Sequence, residues 1–151
     1  MREIKYIVIH CTAGPQDQST DELFARWKSK GWKNPGYHKV VDANGQFQTL
    51  AKDANICNGV EGYNSKSIHI SYKGGWSGGE DGHAVDNRTP QQKKTLRLLV
   101  HHYHRKFPNA KILGHRDFSP DKDGDGVVEK PEWIKACPSF EVKDWLKEIG
   151  L

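Results

Sequence analysis

Long hydrophobic runs are what this sequence most plainly lacks. Its longest apolar stretches are the size of a strand, well short of the roughly 20 apolar residues that a membrane-spanning helix needs. Met1-Arg2-Glu3-Ile4 leads straight into strand-like sequence without the apolar core of a secretory signal. A product made in the cytoplasm is therefore expected, with any action outside the membrane needing another exit route. Cysteine is scarce as well: three residues, an odd number that forms no disulfide framework. Charge of one sign is not in excess either, since a net +4 serves solubility and leans only weakly toward an anionic polymer. Neither a nucleic acid nor a membrane is expected as partner, and the chain is expected to be a monomer. What is present is ordinary globular composition, 35% hydrophobic and 28% charged, in 151 residues, enough for one core and too few for two comfortable domains.

One stretch stands apart. Gly114-His115-Arg116-Asp117 and Lys135-Ala136-Cys137-Pro138-Ser139-Phe140 flank an Asp/Gly-rich loop. A neutral imidazole and a thiolate suit zinc, and a catalytic zinc site needs only three protein ligands with a fourth position open to water. His115 and Cys137 supply two. His10 is the best candidate for the third, because it ends the apolar run Ile4 to His10 and a strand often delivers a polar side chain at its carboxyl end. Taken singly, the three read as a core histidine, a loop histidine and a buried thiol.

The rest of the chain alternates strand and helix signals. Ile4 to His10 reads as a central strand, apolar on both faces apart from Lys5, with Cys11 on the face opposite His10. Ser19 or Thr20 caps a helix carrying Leu23, Phe24 and Trp27 and ended by Gly31; Trp32 just beyond it is a candidate for glycan stacking. Gly36–Ala43 and Gln46–Ala51 flank Asn44-Gly45, a strong hairpin signal. Tyr37 and His38 should face opposite sides of that arm, so one of them can meet a zinc site. Residues 52–66 read as loop, with Cys57 a buried thiol, and Ser67–Tyr72 as an alternating strand. Trp76 and His83 sit in a glycine-dense loop beyond it. A helix capped by Thr89 runs from Pro90 to about Phe107 and leaves His101, His102 and His104 on its surface rather than in a metal cluster. A short strand, Ala110–Leu113, delivers His115, and Glu141–Ile149 closes the chain as a helix. These elements describe one α/β domain over 1–151.

Residues 121–132, Asp121-Lys122-Asp123-Gly124-Asp125-Gly126-Val127-Val128-Glu129-Lys130-Pro131-Glu132, follow the twelve-residue calcium-loop pattern. Asp121, Asp123, Asp125 and Glu132 would supply carboxylates, Val127 its backbone carbonyl, and Glu129 a direct or water-bridged contact. Pro120 and Pro138 leave no room for the flanking helices of a calcium sensor, so a structural calcium ion is expected, one that fixes the geometry between His115 and Cys137.

Ile7-Val8-Ile9-His10, Gly36-Tyr37-His38, Gly114-His115-Arg116-Asp117 and Lys135 to Phe140, in that order, resemble the zinc-dependent N-acetylmuramoyl-L-alanine amidases, the family of amidase-type bacteriophage lysozymes and peptidoglycan recognition proteins. The resemblance covers nearly the whole chain. It implies a central mixed β-sheet flanked by helices, zinc on His10, His115 and Cys137, and peptidoglycan as partner. It further implies cleavage of the amide between N-acetylmuramic acid and the first L-alanine of the stem peptide. Tyr37 corresponds to the catalytic tyrosine and is the first choice for general base; Lys135 corresponds to a lysine that stabilises the oxyanion. His69 departs from the pattern, which has a small residue there, and the 121–132 segment is longer than the usual connection. The alternatives are a catalytically silent peptidoglycan-binding module and a calcium-stabilised interaction protein. The absence of an export signal suggests a phage or prophage lysis enzyme that reaches the cell wall after release.

Overall fold

The computed structural model describes residues 2–151. Five strands, β1 (Tyr6–Cys11), β2 (Lys39–Val41), β3 (Phe47–Thr49), β4 (Ser67–Tyr72) and β5 (Lys111–Gly114), form one sheet in the order β3-β2-β4-β1-β5. β1 runs parallel to both β4 and β5, β2 runs parallel to β4, and the β2–β3 hairpin is antiparallel. Three helices, α1 (Thr20–Ser29), α2 (Pro90–Lys106) and α3 (Val142–Glu148), pack on this mixed sheet.

Strand alternation gives the sheet two unlike faces. Ile7, Ile9 and Cys11 of β1 and Ile68, Ile70 and Tyr72 of β4 enter a core with Leu96, Leu99, Val100 and Tyr103 of α2 and Trp145 of α3. Val8 and His10 of β1 and Ser67, His69 and Ser71 of β4 take the other side, where Leu23 and Trp27 of α1 pack with Tyr37 and Val40. Both faces of these central strands are buried, but one is apolar and the other carries histidine and serine.

Helix ends follow their sequence signals. Ser19 Oγ accepts the Glu22 N–H at 3.1 Å and is the α1 cap, while Thr20 Oγ1 donates to Gln48 at 2.7 Å. At α2, Thr89 and Gln92 close a reciprocal capping box. The Gln92 amide also donates to the carbonyls of Val41 (3.2 Å) and Lys73 (2.9 Å), so one side chain both finishes the helix and docks it on the sheet. The hairpin arms are shorter than their sequence suggests, because β3 is an edge strand with Phe47 49% exposed. Gly45 turns between them at φ 87°, a left-handed conformation that favours glycine.

Leu96 is fully buried in the core beneath the apolar sheet face. Leu96→Ala should destabilise the chain by about 2–5 kcal/mol in urea unfolding, the range for a buried leucine truncated to a cavity. A cost below about 1 kcal/mol would mean that α2 is not held by this contact.

Candidate functional site

His10 reaches the site from the polar face of β1 and is 1% exposed. His115 arrives because β5 ends at Gly114 and the chain turns at once into a 3₁₀ turn, His115–Phe118. Asp117 braces that turn by accepting the Gly114 N–H at 2.7 Å, and Arg116 N–H donates to the Cys137 carbonyl at 2.8 Å, stitching the turn to the segment that carries the thiol. Cys137 is fixed from the other side too. The Cys11 N–H donates to its sulfur at 3.2 Å, and the Tyr72 hydroxyl donates to the Pro138 carbonyl at 2.7 Å.

These ties bring His10, His115 and Cys137 together, with one ligand atom of each within 4.8 Å of the others. His10 Nδ1 lies 3.8 Å from Cys137 Sγ. A tetrahedral zinc, about 2.0–2.1 Å from nitrogen and 2.3 Å from sulfur, sets those two donors about 3.6 Å apart, so the trio fits the ion. Burial, reinforced by His69, His115 and Lys135, holds His10 far below the ordinary imidazole range, and burial with Lys135 pushes His115 down to about 4. Both rings are neutral near pH 7, the form that binds metal. Burial and the hydrogen bond with Cys11 push the Cys137 thiol up, against the pull of Lys135.

A cleft opens above the trio, lined by Arg26, Lys30, Trp32, Tyr37 and Lys135, with neither aspartate nor glutamate in its wall. It continues into a groove of about 860 Å³ bounded by residues 31–33, 58–64, 118–119 and Ile134. The Tyr37 ring stands 5.1 Å from that of His10, and its hydroxyl donates to the Cys11 carbonyl at 3.3 Å. Burial, with Cys137 and Cys11 nearby, pushes this phenol up, so it is a hydrogen-bond donor at neutral pH. Trp32 is half-buried at the cleft mouth, with the Lys30 ammonium 4.9 Å over its ring.

Some sequence expectations fail here. Tyr37 and His38 do not take opposite faces: β2 begins only at Lys39, so strict alternation does not reach back to them. His38 stacks at 5.9 Å on His69, on the same side of the sheet as Tyr37. Trp76 and His83, read from sequence more readily as part of a solvated loop than as substrate contacts, line neither cleft nor groove; Ser77 and His83 bond to each other and close their loop on itself. His69, the departure from the family pattern, lies 2.9 Å from His10 through its Nδ1. The signal that could have found it is the polar alternation Ser67, His69, Ser71 on a strand buried on both faces.

In the 121–132 loop, oxygens of Asp121, Asp123, Asp125 and Glu132 lie within 4.8 Å of one another. Each accepts loop N–H groups; Glu132, 6% exposed, takes those of Lys122, Asp123 and Glu129. Val127 donates its N–H to Asp125 at 2.9 Å. Among the described residues no helix is long and apolar enough to cross a membrane.

The family profile described as N-acetylmuramoyl-L-alanine amidase matches residues 1–131. The endolysin of Enterobacteria phage K11 is 29% identical over 148 residues, covering 97% of this chain and 87% of that protein. The Ph2119 endolysin from Thermus scotoductus MAT2119 bacteriophage Ph2119 superposes with a TM-score of 0.72 at 25% identity, over 100% of this chain and 88% of that one. The N-acetylmuramoyl-L-alanine amidase LysC from Clostridium intestinale URNW shares the fold with a TM-score of 0.73 at 19% identity, over 99% and 87%.

The three-ligand geometry predicts that equilibrium dialysis against zinc loads about one equivalent on the native chain and substantially less on Cys137→Ala, since losing one of three ligands removes the thiolate that zinc prefers. Equal loading of the two proteins would exclude Cys137 as a ligand.

Proposed function

The chain belongs to the N-acetylmuramoyl-L-alanine amidase family, and from that premise we propose a zinc-dependent peptidoglycan hydrolase. Its cleavage point is the amide between the lactyl group of N-acetylmuramic acid and the first L-alanine of the stem peptide. The observation that carries this reading is the convergence of His10, His115 and Cys137 at the floor of a cleft whose charged side chains are cations. Zinc held by these residues would supply a Lewis acid for the scissile carbonyl and lower the pKa of a water to about 7.

The chain's own side chains supply the remainder. Lys135 offers a cation beside the oxygen on which charge develops. Tyr37, protonated, donates a second hydrogen bond to it by turning from the Cys11 carbonyl. Arg26, Lys30 and Lys135 suit the carboxylates of a stem peptide, and Trp32 offers a ring face to a sugar. The 121–132 loop is proposed to take calcium, on its donor pattern and the convergence of Asp121, Asp123, Asp125 and Glu132, with Val127 offering its carbonyl. Its role would be to hold the segment between His115 and Cys137.

Activity is read as free amino termini released from purified peptidoglycan. Native protein loaded with zinc should expose N-terminal L-alanine, and Cys137→Ala should expose none. Lys135→Ala and Tyr37→Phe should each turn over on the order of 10²–10³ more slowly, the usual loss for one oxyanion donor. Native protein that binds the wall polymer without cutting it would make the chain a silent recognition module. Separately, calcium should raise the thermal midpoint of the native chain and leave that of Asp121→Ala/Asp123→Ala unmoved; no shift in the native chain would remove calcium from the account.

A further inference from the structure

Tautomers in the buried face of β1 and β4 can be assigned from an obligate donor outward. The Val60 backbone N–H donates to Asn64 Oδ1 at 2.8 Å, so that atom is the oxygen and an acceptor. His69 Nε2 lies 2.9 Å from the same oxygen and must carry its ring proton. His69 Nδ1 is then a bare acceptor, and His10 Nε2, 2.9 Å away, must carry the proton between them. The lone pair of a neutral His10 is thereby left on Nδ1, the nitrogen that faces Cys137 Sγ at 3.8 Å. We propose that His69, held by Asn64, is a positioning residue that fixes His10 in the tautomer and ring orientation required of a metal ligand.

Three further observations support a built arrangement. His69 is fully buried and cannot turn to solvent for another partner. It is clamped by its neighbour in the sheet: its backbone N–H donates to His38 Nδ1 at 3.0 Å, while the His38 N–H donates to its carbonyl at 2.9 Å. Space for the ring comes from Gly59. A Cβ there would lie 2.5 Å from Cγ and Cε1 of His69 and closer still to Nδ1, the atom that accepts from His10. Gly59 and His69 are therefore one device, in which the missing side chain of one makes room for the ring of the other. A carbonyl or carboxylate usually takes the distal N–H of a ligand histidine; here a second imidazole does, anchored through an asparagine.

This rests on the reading of His10 as a ligand, and its test separates the two. In the metal-free native chain, long-range ¹H–¹⁵N spectra should show His10 as the Nε2–H tautomer. Zinc affinity, measured by competition with a chromophoric chelator, should fall about 10–100-fold in His69→Leu, the usual loss when a ligand's outer partner is removed. His69→Asn, whose side-chain oxygen can accept in place of Nδ1, should recover most of the loss. Gly59→Ala should weaken zinc like His69→Leu, with a shifted visible spectrum of the cobalt-substituted protein. Should His69→Leu fail to fold by circular dichroism, Asn64→Ala provides the second arm: His10 would lose its single tautomer and zinc would bind more weakly. A native chain that binds no zinc overturns the metal centre. A native chain that binds zinc no more tightly than folded His69→Leu, with the same cobalt spectrum, overturns the positioning role alone, as does an Nδ1–H tautomer at His10.

Discussion

Everything at the site depends on a polar layer buried between two central parallel strands. Burying imidazoles and hydroxyls costs free energy unless each finds a partner. Here the partners are one another and the backbone: His10 meets His69, His69 meets Asn64, and His38 receives the His69 N–H. The core beneath α2 and α3 anchors the opposite face of the same strands, so the polar layer cannot shift without moving Ile7, Ile9, Ile68 and Ile70 as well. The geometry of the site is thus tied to strands buried on both faces.

On that foundation, the remaining parts come from connections rather than strands. His115 is the first residue after β5, and Cys137 lies on a segment tied to β1 by the Cys11 N–H and to the 115–118 turn by Arg116. Arg116 also lies 3.9 Å over Trp133 and bonds Glu141 at 3.2 Å, which links the far end of the 121–132 insertion to α3. The insertion therefore returns to the sheet along a defined path despite its exposed acidic tip.

Charge then sorts what can enter. The cleft over the trio carries Arg26, Lys30 and Lys135 and no carboxylate, whereas Asp121, Asp123, Asp125 and Glu132 cluster in the 121–132 loop, outside its lining. A small net charge of +4 conceals this separation. In a partly enclosed cleft such cations act at higher effective strength than on open surface, which favours anionic groups there. Lys135 also adds to burial in keeping His10 and His115 uncharged, the form in which an imidazole can bind a metal.

By itself the sequence determined the elements and the family. Ser19 and Thr89 mark helix starts, Asn44-Gly45 marks the hairpin, and the ordered histidine, tyrosine, lysine and cysteine motifs mark the family, because capping and turn preferences are local and motifs are carried by residue type. Tertiary structure alone decided which neutral side chains meet. That Tyr37 and His38 share a side follows from where β2 begins, and that Tyr37 is a donor follows from its burial. Sequence marked His69 only as an oddity, since its partner His10 is 59 residues away and the space it fills is left by Gly59. Strand register and ring packing over such distances are set by the folded chain as a whole, and no local pattern encodes them.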